Sequence, residues 1–209
     1  MKVTRKVTFN TKEVCAGDQI TIKLKGFGKF TATCGRIENS KALFIFDQII
    51  TRRSINPTNT NKGGINCSEI KSWLNNVVLL AFPAKLRVKT NYISLPSYGM
   101  VFGHGYDKDF YDNYVTPDND ERFEHLKKRV NRVREFTDPG DEGSYVSSWW
   151  LSNPIEEEKS SYVSSWWLSN LIKEEKSLAR FAYVSFDGNA GYSYASDSFG
   201  VCPVFEVCV

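Results

Sequence analysis

Few residues of this sequence could perform acid–base or metal chemistry, and one of its two histidines stands out. His104 lies in the stretch FGHGYDKD, where Asp107 and Asp109 follow it closely. A histidine beside carboxylates can act as a general base or bind a metal ion. The other histidine, His125, lies in a pattern typical of a helix, which favours a solvated or interface role.

The common catalytic and phosphate-binding motifs are missing from the sequence. There is no GxSxG, no P-loop and no GxGxxG, and GFGKF at 26–30 falls in a predicted hairpin rather than between a strand and a helix. The acidic DND at 118–120 lacks the glycine and glutamate that an EF-hand requires. We therefore expect a protein that is not an enzyme, with no cofactor and no metal site.

The five cysteines also argue against a metal site or a disulfide framework. They are spread along the chain without any CxxC pair: Cys15, Cys34, Cys67, Cys202 and Cys208. On one extended strand the last two would lie ~20 Å apart, too far to bridge. We expect all five to be reduced and to serve mostly as packing residues.

The tail has the composition of a recognition surface. Tyr192 and Tyr194 fall on one side of an extended chain, and Ser193 faces the other way. Tyrosine supplies rigid contact area and serine adaptable hydrogen bonds, although aromatic pairs on a polar sheet edge would give the same pattern. The predicted ligand- or receptor-binding residues are Tyr192, Ser193, Tyr194, Ser196, Asp197, Ser198 and Phe199.

A tandem duplication carries a second candidate surface. SYVSSWWLSNPIEEEKS at 144–160 is followed by SYVSSWWLSNLIKEEKS at 161–177, and the copies differ only at Pro154/Leu171 and Glu156/Lys173. On one continuous helix a 17-residue shift would rotate equivalent faces by ~100°, so two separate elements fit better. One copy is expected in the core and the other on a sheet edge or a neighbouring subunit, with Trp149, Trp150, Trp166 and Trp167 as subunit-contact residues.

The elements that must position these residues are mostly strands. GDQITIKLKGFGKFTATC predicts a hairpin around GFG, KALFIFDQII predicts a buried strand, and the tail after residue 180 predicts two or three strands with a turn at FDGN. We predict one domain over 1–209 that contains the duplication.

Two main helices are predicted, at about 66–79 and 118–136. The first has a candidate capping box, Asn66 with Glu69, and Pro83 to end it. The second has Phe123 and Leu126 at helical spacing and acidic residues at its start.

The bulk composition excludes several classes of protein. Hydrophobic residues make up 41% of the chain and aromatics 14%, which is enough for a core. A net charge of +3 is too small to indicate nucleic acid by itself. The basic residues between 127 and 134 are interpreted as a solvated face, with contact to a nucleic acid or to an acidic neighbour in an assembly as the alternative. The longest apolar run, VVLLAFPA, is too short to span a bilayer, and the alternating N-terminus does not resemble a secretory signal.

These stretches, taken in order, resemble one family. WWLSNP and WWLSNL resemble the WWLRSP signature of an uncharacterised domain of bacteriophage structural proteins and their bacterial hosts. FAYVSFDGNAGYSYASDSFGVCPVF is similar to that family's tail, and SEIKSWLNN, YISLPSYGMVFG and DERFEHLKKRVNRV are similar to its middle segments. The tail is also similar to the C-terminal end of C-type-lectin-like folds, the group of the formylglycine-generating enzyme and the retroelement variable proteins.

The resemblance implies an α+β, C-type-lectin-like domain with a twisted antiparallel sheet and a ligand-facing tail, and it implies no established chemistry. Cys202 stands where the family has the arginine of GVRP, and Ser152 and Ser169 replace the arginine of WWLRSP. Leu168 leads directly into the tail, which places the second copy in the core, whereas Pro154 in the first copy points the other way.

The function expected from these observations is that of a non-enzymatic virion protein. Such a capsid decoration, fibre or baseplate-associated domain would contact other virion proteins, form homo-oligomers and bind a host-surface glycan or protein, with no nucleic acid or membrane partner. One alternative is an adhesin outside any virion, and another is an enzyme related to lectin-fold oxidases, which would need a reactive thiol pair or a metal.

Overall fold

A computed structural model of the chain describes residues 14–138, 143–156 and 179–208. The described residues form twelve strands: β1 (Gln19–Leu24), β2 (Gly28–Glu38), β3 (Lys41–Phe46), β4 (Thr51–Arg53), β5 (Thr90–Ser94), β6 (Arg134–Phe136), β7 (Tyr145–Ser147), β8 (Trp149–Pro154), β9 (Arg180–Val184), β10 (Ala190–Tyr194), β11 (Phe199–Val201) and β12 (Val204–Cys208). Short helices connect them: α1 (Glu69–Trp73), a π-helical turn (Leu74–Val78), α2 (Leu79–Ala81), α3 (Ala84–Arg87), α4 (Tyr98–Phe102) and α5 (Lys108–Tyr114). The predicted α+β class is confirmed, with more sheet than helix.

Two five-stranded sheets dominate the fold. The first has the order β1-β2-β3-β12-β5, and all its neighbours are antiparallel. The second has the order β10-β9-β8-β11-β4 and contains one parallel pair, β8 with β11. The tail crosses from one sheet to the other at Cys202–Pro203, because β11 belongs to the second sheet and β12 to the first.

The first hairpin forms where the sequence predicts it. β1 and β2 pair in antiparallel register from Gln19↔Thr33 to Leu24↔Gly28, around the GFG turn. Gly26 and Gly28 have φ of 84° and 127°, a region that favours glycine. On β1 the residues Ile20, Ile22 and Leu24 are buried, as the alternation of the sequence indicates.

The predicted helix at 66–79 is present with a shifted start. Ser68, and not Asn66, is the N-cap, and its hydroxyl accepts a hydrogen bond from the Lys71 amide at 3.2 Å. Helical residues then run without a break through α1, the π-helical turn and α2, and Phe82 before Pro83 is already extended. None of the helices in the described ranges is long and apolar enough to cross a membrane.

The predicted helix at 118–136 is wrong. This stretch holds two short 3-10 turns (Glu124–Leu126 and Arg129–Arg132) and then β6. The carbonyls of Leu126 and Lys127 accept hydrogen bonds from the buried guanidinium of Arg132, at 3.0 and 3.3 Å. Those carbonyls would bond to backbone amides in an α-helix. Val130, which such a helix would place on the same face as Leu126, is 72% exposed.

The first copy of the duplication supplies the strand at the centre of the second sheet. Trp149 and Trp150 on β8 are both 0% exposed and point to opposite faces of the strand. Trp150 packs in one core cluster with Phe181, Phe205 and Ile70 of α1. Trp149 packs in a second cluster with Ala182, Val184 and the apolar residues of α4. In the described chain the first copy therefore forms the core strand, and the second copy, 161–177, lies outside the described residues.

Candidate binding surface

Two of the predicted binding residues lie together on an exposed face of the second sheet. Tyr192 and Tyr194 on β10 are 40% and 38% exposed. The antiparallel register places them opposite Ala182 and Arg180 of β9. β10 is the last strand of its sheet in the described chain, so both rings stand at a rim of the domain.

A cation lies close to both tyrosines. The guanidinium carbon of Arg180 is 5.1 Å from the ring centroid of Tyr192 and 5.1 Å from that of Tyr194. Its Nη2 donates a long hydrogen bond of 3.4 Å to the hydroxyl of Tyr194. Arg180 has no carboxylate within ion-pair distance in the described ranges, so the aromatic rings are its main electrostatic partners there.

The row of rings continues from the sheet onto α5. Phe110 stacks on Tyr192 with centroids 5.9 Å apart and ring planes inclined by 5°, and Tyr114 lies 6.3 Å from Tyr192. The side chain of Asp107 caps α5 by accepting the Phe110 amide at 3.1 Å, which fixes where the helix begins. We call Phe110, Tyr114, Tyr192, Arg180 and Tyr194 the aromatic row.

The polar residues of the predicted site form the turn beside the row. Ser193 donates its hydroxyl to the carboxylate of Asp197, which also accepts the Tyr194 amide at 3.2 Å. Ser196 and Ser198 are exposed, and the Ser198 carbonyl accepts a hydrogen bond from Arg52 at 2.9 Å. Ser193 and Asp197 thus satisfy each other and brace the turn that follows the two tyrosines.

Phe199 does not lie in the aromatic row. Its ring centroid is 4.7 Å from Trp150 and 4.8 Å from Tyr183, at the margin of the first core cluster. Phe110 and Tyr114 instead pack against the second cluster, which contains Trp149 and lies on the other face of the sheet. The structure therefore separates Phe199 from the two tyrosines and gives it a packing role.

The subunit-contact prediction needs correction for the first copy. Both indoles are fully buried, and each N–H is satisfied inside the chain: Trp149 donates to the Arg132 carbonyl and Trp150 to the Arg53 carbonyl, each at 2.9 Å. A residue enclosed in this way has no surface to offer a neighbouring subunit. Trp166 and Trp167 lie outside the described residues.

The histidine loop places His104 beside an acidic residue that lies 14 residues further along the chain. His104 lies 3.3 Å from a carboxylate oxygen of Asp118 and against the ring of Tyr111, and Asp107 is engaged as the cap of α5. In the described ranges no group of three or more histidine, cysteine or acidic side chains is arranged to hold a metal ion. Asp118 also accepts the Gly99 amide at 3.0 Å, which makes it a structural anchor for α4.

Two buried cysteines have the properties of packing residues. Burial raises the pKa of Cys34 and that of Cys202 to about 12, so both thiols are protonated at neutral pH. A protonated thiol is a poor nucleophile. All five cysteines are free, and Cys15, Cys67 and Cys208 are exposed.

The sequence analysis selected Tyr192 and Tyr194 as candidates but not Arg180, Phe110 and Tyr114, which the structure places beside them. Arg180 could have been found by pairing the FDGN hairpin around its turn, because that register sets residue 180 opposite residue 194. Phe110 and Tyr114 carry no comparable signal, since α5 reaches β10 only through tertiary packing.

Comparison of the chain with protein-family models, with curated proteins and with solved structures gives no match.

Proposed function

We propose that this chain is a non-enzymatic structural protein of a phage particle, with a C-type-lectin-like domain that binds a glycan or protein of the host surface. The observation that carries the binding role is the aromatic row, in which Tyr192 and Tyr194 present exposed rings around Arg180. The particle and the lectin-like fold rest on the resemblance of the WWL and tail motifs.

The row has the physical properties of a recognition surface. A tyrosine offers a large contact area and loses little conformational entropy on binding, because only two side-chain torsions must be fixed. Phe110 stacks on Tyr192 and Arg180 lies beside both tyrosines, so the rings are already held before a ligand arrives. Such preorganisation raises affinity by lowering the ordering cost of binding.

The order of elements supports the lectin-like part of the proposal. The WWL strand β8, the β9–β10 hairpin and the final strands follow one another in the order that the resemblance implies. The tail carries the exposed tyrosines, as the ligand-facing tail of those folds would. Other virion proteins and further copies of this chain are the partners proposed for attachment to the particle.

The binding role is tested on a glycan array with the purified chain. Tyr192→Ala with Tyr194→Ala is expected to remove specific binding, by at least ~10-fold in signal, because both exposed rings of the row are lost. Tyr92→Ala is the matched control: Tyr92 is 41% exposed, lies on the edge strand β5 and has Lys71 4.4 Å from its ring centroid. An unchanged profile for the double variant would reject the row as the site.

The particle role is tested separately by mass spectrometry of purified particles. The polypeptide is expected in the virion at a reproducible stoichiometry. Glycan binding by a chain that is absent from particles would point instead to an adhesin outside the virion.

A further inference from the structure

The guanidinium of Arg180 is held in a way that leaves its donors for a ligand. Its central carbon is 5.1 Å from the ring centroids of Tyr192 and of Tyr194. Its hydrogen bond to the Tyr194 hydroxyl is long, at 3.4 Å. In the described part of the chain this is the guanidinium's one hydrogen bond, so most of its five N–H donors are available to a ligand. In-plane donors in a fixed fork match a carboxylate.

We infer that the aromatic row is a site for an acidic glycan, with Arg180 pairing to a sugar carboxylate and the tyrosines contacting the sugar rings. This inference rests on the proposed function and narrows its ligand class. Charge complementarity supports it, because Arg180 is half-exposed and has no acidic partner in the described ranges. A glycan is favoured over a peptide because the donors lie on the side-chain face, whereas a peptide strand would pair with the backbone edge of β10.

The test is a titration with sialyllactose and with oligogalacturonate, each compared with its neutral counterpart, lactose or galactose. The acidic sugars are expected to bind about tenfold more tightly than the neutral ones, because the charge-assisted hydrogen bond between Arg180 and the sugar carboxylate adds to the affinity. Arg180→Gln is expected to abolish that difference, and Arg180→Lys to retain part of it, because lysine keeps the charge without the fork. The preference is also expected to shrink as salt is raised.

Arg87→Gln is the matched control, because Arg87 is an exposed arginine whose guanidinium donates to the Leu80 carbonyl at 3.2 Å, away from the row. Equal affinity for acidic and neutral sugars would overturn the acidic-glycan inference and leave the row as a neutral-glycan site. Binding of tetraglutamate but of no sugar would overturn it in favour of an acidic peptide. Absence of all binding would also overturn it, whereas the virion role is decided by particle mass spectrometry.

A second inference comes from the buried positions of the duplicated segment. The buried residues of the first copy are Ser147, Trp149, Trp150, Leu151, Asn153 and Ile155. The second copy has the same residue at every one of these positions: Ser164, Trp166, Trp167, Leu168, Asn170 and Ile172. The two differences between the copies fall at Pro154, which is half-buried, and at Glu156, which is exposed.

The connections are also equivalent for either copy. With the first copy in place, eight residues (137–144) link β6 to β7 and 25 residues (155–179) link β8 to β9. If the second copy took the same position, 25 residues (137–161) would precede it and eight (172–179) would follow it. Loop-closure entropy depends on the logarithm of loop length, so exchanging the two lengths leaves their summed cost unchanged.

We propose that the β7–β8 position is filled by either copy and that the native chain exchanges between the two arrangements. The same buried side chains and the same loop lengths make the arrangements nearly equal in free energy, which is the condition for two populated states. The Pro154 carbonyl accepts a hydrogen bond from the Thr116 amide at 3.0 Å. This bond uses only the backbone of Pro154, so the backbone carbonyl of Leu171 can accept the same bond when the second copy fills the position.

The test uses rescue of a core substitution. Trp149→Ala is expected to unfold a chain lacking 161–177, but to leave the full chain folded, because Trp166 takes the buried place. Trp149→Ala with Trp166→Ala in the full chain is expected to unfold it. Equal loss of melting temperature for Trp149→Ala in both backgrounds would overturn the proposal.

Fluorine NMR of the fluorotryptophan-labelled chain gives an independent readout. The sequence has five tryptophans, so one arrangement gives at most five signals, and exchange between two arrangements gives more. Deletion of 144–160 or of 161–177 leaves three tryptophans, so each shortened chain is expected to give three signals. The spectra of the two shortened chains are expected to be nearly the same. Five signals in the full chain, with no exchange detected by saturation transfer, would overturn the proposal.

Discussion

Replacement of Arg132 by alanine is expected to lower the free energy of unfolding by about 3–5 kcal/mol. Arg132 is only 1% exposed, and its guanidinium donates to the carbonyls of Gly188, Leu126 and Lys127 at 2.8, 3.0 and 3.3 Å. It also lies 4.9 Å from the ring centroid of Phe102. Alanine would leave buried carbonyls without donors and a cavity beside the ring, and both effects destabilise the folded state.

The measurement is urea unfolding followed by tryptophan fluorescence. Arg129→Ala is the matched control, since Arg129 occupies the same 3-10 turn with an exposed side chain and is expected to change stability by less than about 0.5 kcal/mol. A loss for Arg132→Ala no larger than that of the control would show that the guanidinium does not organise this region.

Replacement of Gly99 by alanine is expected to lower the free energy of unfolding by about 3 kcal/mol. A methyl group at Gly99 would overlap a carboxylate oxygen of Asp118 and the backbone carbonyl of Asp120, and would lie 2.8 Å from Nε2 of His104. Asp118 accepts the Gly99 amide at 3.0 Å and the Asn153 side-chain amide at 2.9 Å, so displacing it breaks the link between α4 and β8.

The measurement is the melting temperature in thermal unfolding, and Gly105→Ala is the control for Gly99→Ala. Gly105 lies in the loop that follows α4, does not have a positive φ, and a methyl group there would meet no described atom within 4 Å. Alanine at this position is expected to be neutral or slightly stabilising, because it restricts the unfolded chain. Equal melting temperatures for the two variants would contradict the packing account of Gly99.

The parts of the fold that follow from local pattern could be predicted from the sequence. The β1–β2 hairpin follows from alternation and from glycines at a turn, and the helix that ends before Pro83 follows from spacing and from the proline itself. In these segments local preference and tertiary structure agree, so the sequence alone is sufficient.

The predicted helix at 118–136 fails because a buried side chain competes for its carbonyls. Helical spacing of Phe123 and Leu126 is real, and both residues are buried, but Arg132 takes the carbonyls that would hold the helix together. The interpretation of this segment as a solvated face is wrong for Arg132 and Arg134, which are buried, and nothing in the local pattern distinguishes them from the exposed Lys127, Lys128 and Arg129. The role of Arg132 depends on Gly188, which is 56 residues away in the sequence.

Only part of the candidate site follows from local sequence pattern. Alternation places Tyr192 and Tyr194 on one face, and their exposure agrees with a recognition surface. Arg180 enters through strand pairing and Phe110 through the packing of α5, both of which are properties of the folded chain. Phe199 looked equivalent to the tyrosines in the sequence, and only the turn after Tyr194 sends it to the opposite side.

The placement of Trp149 and Trp150 on opposite faces of β8 has a consequence for how the protein opens. The two core clusters share this one strand as a common wall, so solvent cannot reach either cluster through β8 without disturbing both. Amide protons on β3 and on β9 should therefore exchange with deuterium through the same global opening rather than through separate local ones. Trp149 and Trp150 are therefore expected to couple the opening of one cluster to that of the other.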